Sequence, residues 1–170
     1  MCAVNDVDAY LLPYGVLGRH PEEFYGAIGR VVCVCAVLED QVTTLRHTLT
    51  GANQGAHTHE PVGKQIKVAR AHLDELEDPA RRAVEAFLDD AEAAFQHRNK
   101  LVHSSFPAQA DGRLWGHRPA RDRTVTDGQA DTVRTSMDEL RAFIAQLATL
   151  VGSFNQVHAS AGVRARGRHD

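Results

Sequence analysis

The sequence predicts an all-α protein, a four-helix bundle with a short hairpin or extended arm between its third and fourth helices. Long stretches repeat their apolar residues every three to four positions, the period of an amphipathic helix. Gly, Pro and Asn mark the joints between those stretches. At 170 residues the chain is long enough to bury one core without disulfide or metal staples. Only 6% of it is aromatic, so Ala and Val supply much of the apolar surface and helices can approach closely.

Residues 1–20 carry Pro13, Gly15 and Gly18 without a sustained period and read as an irregular lead-in. A helix opens at Pro21, with Glu22 and Glu23 in the turn where the helix dipole favours acids. Phe24, Ile28, Val31, Cys35, Leu38, Val42, Leu45 and Leu49 form its stripe, and "TGANQG" stops it. Between Val31 and Leu38 this helix is apolar all round, which predicts cover on several sides, by its own bundle or by a second chain. A second helix is expected over Val62–Leu76. Asp78 then caps a third, with Pro79 at its first position. Its stripe is Val84, Phe87, Leu88, Ala91, Phe95 and Val102, and it ends near Ser104–Pro107. A DG turn and alternating pieces around Leu114–Trp115 and Thr124–Thr126 predict the hairpin or arm. A fourth helix is expected from about Asp127 to His158 and a basic, flexible tail over 159–170. The helical domain is thus placed at 21–158.

A net charge of −3 argues against wholesale coating of nucleic acid, though not against a local basic site. Arg113, Arg118, Arg121 and Arg123 cluster between the third and fourth helices, and Arg164, Arg166 and Arg168 crowd the tail. Cys33 and Cys35, about 160° apart on a helix, read as small buried hydrophobes rather than a bridge or metal pair. The N-terminus shows no secretory signal pattern, and the longest apolar run, "VVCVCAVL", is far too short to span a bilayer. The expected setting is cytoplasmic, with no membrane contact.

The stretch "HRNKLVHSSF" interrupts the third helix's apolar stripe with polar groups. With Val84 at zero on a helical wheel, Arg98 falls at roughly −40°, Asn99 at about +60° and His103 at about +100°. An arginine on a buried stripe requires an ion-pair partner or a cavity. Glu39, close to its own helix's stripe, is a candidate partner. The alternative is a groove in which Arg98 holds a phosphate with its forked donors and His103 moves a proton. The two lie about 140° apart on an ideal helix. The arginine must curl, the helix must fray at His103, or two copies must face each other.

"RNKLVH", Arg98 to His103, resembles the R-N-x-x-x-H signature of the HEPN superfamily, small four-helix-bundle domains of toxin–antitoxin and phage-defence systems. The predicted bundle, with the motif at the end of its third helix, is similar to that family's layout over about residues 21–158. The resemblance implies a metal-independent endoribonuclease that needs no cofactor. Arg98 and His103 would be the catalytic pair, with Asn99 supporting them. Cleavage would leave a 2′,3′-cyclic phosphate, at a composite site formed where two motifs meet in a homodimer. RNA would be the substrate, and an antitoxin or defence protein would be the partner. Arg113, Arg118 and Arg121 would supply phosphate contacts beside the site. Many such domains are non-catalytic, so a dimerisation or interaction module with a structural motif is the alternative.

Other signals carry less. His57 and His59 form a His-x-His pair with no further ligand placed to complete a metal site. Gly63–Lys64 lacks the spacing of a phosphate-binding loop. His97 and Lys100 fall on the third helix's outer face and read as solvated. His117 is a minor candidate for a second base, and Trp115 is expected to pack the arm onto the bundle.

Overall fold

The computed structural model describes residues 7–8, 10–13, 20–52, 60–107, 113–118 and 131–162. The expectations placed on His57, His59, Arg121, Arg123, Thr124–Thr126 and the tail arginines fall outside them. Four α-helices and one two-stranded sheet make up the described residues: α1 Glu22–Thr50, α2 Val62–Arg70, α3 Asp78–Val102, β1 Leu114–Arg118, β2 Asp131–Thr135 and α4 Met137–Gly162. None of the helices is long and apolar enough to cross a membrane.

The α1 stripe buries Phe24, Val31, Cys35, Leu38, Val42 and Leu45, and the helix stops at Gly51, whose φ of 65° is the left-handed cap that glycine adopts without strain. The surroundings of its apolar middle are uneven. Cys35 is buried, whereas Cys33 is exposed and Val37 is 49% exposed, so the expectation that both cysteines are buried fails for Cys33. The α4 helix packs along α1, burying Leu140, Phe143, Leu147, Leu150 and Phe154, and Arg141 reaches across to Glu23 with its Nε at 3.1 Å. The α3 helix contributes Val84, Leu88, Ala91, Ala94, Phe95 and Leu101 to the same core. At the end of α3 it is Leu101, and not Val102, that turns inward.

Three boundaries differ from the periodicity. The expected helix over Val62–Leu76 ends at Arg70 and gives way to a 3₁₀ turn, Leu73–Glu75. With three residues per turn, that geometry brings Leu73 and Leu76 to one side, where both are buried. The second strand is Asp131–Thr135, in a region read as the start of the fourth helix. It pairs antiparallel with β1, Leu114 opposite Thr135 and Arg118 opposite Asp131. The β-branched residues of "DTVRT" suit that strand, and α4 begins only after Ser136, whose Oγ accepts the Glu139 N–H at 3.2 Å. At its other end α4 continues to Gly162, with Ala161 buried, so the helical body runs past His158.

Candidate functional site

Arg98 lies on the inward side of α3, between Ala94 and Leu101, each 2% exposed. Its guanidinium is half-buried. Nη1 donates to Asn99 Oδ1 at 3.0 Å, while Nε is buried and has no hydrogen-bond partner among the described residues. A buried donor left unmade costs on the order of 1–3 kcal/mol, so the position is not one that packing alone selects. The expected alternative, an ion pair with Glu39, is absent: no contact within 4 Å joins them among the described residues. Both groups nevertheless act on the Cys35 thiol of α1. Burial pushes that thiol up to about 11, Arg98 pulls it down and Glu39 raises it. Cys35 is therefore protonated at neutral pH and chemically quiet.

Asn99 is half-buried beside Arg98, and its carbonyl accepts the His103 N–H at 3.2 Å, closing the helix. His103 is the exposed C-cap residue, with φ −97° and ψ 12°. The chain after it is pinned. Ser105 and His117 exchange both backbone hydrogen bonds, at 2.9 and 2.8 Å. The Phe106 ring packs edge-on to Phe24 at 5.5 Å, and its carbonyl accepts His20 Nε2 at 2.6 Å. Phe106 also fills the space over Gly116, so β1 approaches closely because it has no side chain there. Folding therefore holds His103 at a defined place. No hydrogen bond joins it to Arg98 within the chain.

The hairpin carries the other predicted residues. Arg113 lies over the Trp115 ring, 5.7 Å from its centroid, and Arg134, which periodicity does not single out, lies over it at 4.7 Å. Trp115 is half-buried beside these cations, and it lines a cavity together with Pro21 and Met137. Arg118 faces α3 across a cleft of about 680 Å³ with Gln96, His97, Lys100, Thr132 and Arg134. The cleft is built on the side of α3 away from Arg98. His97 is exposed, as its wheel position suggests, and one face of its ring also stacks on Phe143 at 4.1 Å and 26°. Partial desolvation on the Phe143 side, and then the charge of Lys100, hold its imidazole below the usual value, with Glu139 acting in the opposite sense. The signal for these residues was absent from the local pattern, because Arg134 and Phe143 reach His97 only through tertiary packing.

Among the described residues no group of three or more His, Cys, Asp or Glu side chains is arranged to hold a metal ion. The chain was compared with known protein families, with curated proteins and with solved structures, and it matches none of them.

Proposed function

We propose that this chain is a metal-independent endoribonuclease of the HEPN type, working as a homodimer in the role of a toxin or defence effector. The observation that carries the reading is the Arg98 guanidinium, half-sunk in the bundle, bonded to Asn99 and left with a buried donor to spare. Such a group is poised for an anion, and its planar fork fits a phosphate. In this reading Arg98 stabilises the charge that develops on the phosphoryl oxygens. Asn99 orients Arg98. His103, exposed at the helix end, accepts the proton of the ribose 2′-hydroxyl or delivers one to the departing 5′-oxygen. The 2′-oxygen attacks phosphorus, the bond to the 5′-oxygen breaks, and the products are a 2′,3′-cyclic phosphate and a 5′-hydroxyl. The second copy would bring its own motif to the same phosphate, since Arg98 and His103 of one chain point about 140° apart.

A second reading is favoured by that same divergence: a non-catalytic dimerisation module in which Arg98 and Asn99 brace the bundle. RNA cleavage in EDTA separates the two. The wild-type chain is expected to cleave, and His103→Ala to be slower by about 10²–10⁴-fold, the range of general acid–base contributions. Equal activity of the variant and the wild type would leave only the bracing role.

A further inference from the structure

The cleft on the far side of α3 stands apart from the Arg98 motif. Several described surface arginines of this acidic chain hold carboxylates: Arg70 pairs with Asp89 and Glu92, Arg81 with Asp78, and Arg141 with Glu23 and Asp138. Lys100, Arg118 and Arg134 line one cleft, and among the described side chains none of the three forms an ion pair with a carboxylate. The acid that the strands themselves contribute is Asp131, the register partner of Arg118. Glu139 borders an adjoining cavity of about 410 Å³, which shares His97 and Arg134 with the first.

The cations are also held differently from ordinary surface side chains. Arg134 lies over Trp115, 4.7 Å from its ring centroid, a cation–π contact that restrains the guanidinium at the hairpin. Phe143 backs the His97 ring, whose depressed basicity leaves an uncharged hydrogen-bonding group at neutral pH. Around the charges, Gln96 and Thr132 supply both donors and acceptors. The volume lies in the range of small-molecule sites.

We propose that this cleft binds the phosphate of a nucleotide, with Lys100, Arg118 and Arg134 as its cationic contacts and Gln96 and Thr132 hydrogen-bonding the ribose or base. The phosphate belongs either to a free nucleotide or to a single-stranded RNA. The site requires binding only, so it holds whether or not the chain cleaves RNA.

The test titrates the full chain with ATP and with a labelled 2′-O-methyl RNA oligonucleotide, which cannot be cleaved through its 2′-oxygen. Anisotropy follows the RNA, and emission of Trp115 follows both ligands. The expected result is saturable binding of at least one ligand, weakened about tenfold or more in Lys100→Gln and in Arg134→Gln, the size of a charge-assisted contact. For RNA, each neutralisation is expected to reduce the slope of log K against log salt by about 0.7. Binding of ATP that RNA displaces assigns the site to free nucleotides as well as strands; binding of RNA alone assigns it to the strand. Arg82→Gln, at the opposite end of α3, is the control and is expected to bind as the wild type does. Lys100 lies at the exposed surface of its helix, so its variant reports binding even if Arg134→Gln loosens the hairpin. No binding of either ligand at millimolar concentration, or an equal loss in Arg82→Gln, overturns the proposal.

Discussion

A β-carbon placed on Gly116 would come within 2.7 Å of Phe106 Cε1 and 2.8 Å of Cζ, distances that force the ring or the strand to move. Phe106 cannot yield freely, because Phe24 packs against it and His20 bonds its carbonyl. Gly116→Ala is therefore expected to destabilise the fold by about 1–3 kcal/mol, read as a lower urea midpoint. His97 makes a second residue-scale prediction. Its folded-state pKa lies below the unfolded value, so the unfolded chain binds the extra proton more readily. The stability that this supplies is present above the unfolded pKa, about 6.5, and is lost as pH falls through the folded one. His97→Gln is expected to show a smaller fall in urea midpoint between about pH 7.5 and about pH 5 than the wild type. Arg98 was legible as an anomaly, since an arginine on an apolar stripe is visible on a wheel. Its hydrogen-bond partner was not: the candidate was Glu39, and the guanidinium bonds instead to Asn99, its neighbour in sequence.

The helices were legible because their period is local: every turn of α1 and α3 repeats the apolar signal that the core later buries. The elements that were misread are those whose partner is distant. Val133 fits a helical stripe as well as a strand, and it becomes β2 because β1 lies alongside to pair with it. The start of α4 did have a local mark, the spacing of Ser136 and Glu139, which is that of a capping box. Ser136→Ala is expected to cost about 0.5–2 kcal/mol by removing the acceptor for the Glu139 N–H, seen as a lower melting temperature with the helix content preserved below it. The turn Leu73–Glu75 shows the same limit from the other side: its two leucines keep the apolar period, and the backbone tightens to bury them together.

For the whole molecule, the homodimer proposed above makes the exposed middle of α1 the test. Val37 stands 49% exposed in an apolar run, with Cys33 exposed one turn before it. Light scattering is expected to give twice 18.6 kDa, and Val37→Glu to give the single-chain mass with an unchanged helical spectrum. A strict monomer in the wild type would remove the composite ribonuclease site. By itself, the sequence determined that this protein is mostly helical, where α1 and α3 lie and that Arg98 faces inward, since periodicity and charge placement are properties of neighbouring residues. Only the tertiary structure decided that "DTVRT" is a strand, that Arg98 is held by Asn99 and unpaired with Glu39, and that Lys100, Arg118 and Arg134 share a cleft. Those outcomes depend on which surfaces meet, and chain closure over tens of residues leaves no mark in a local pattern.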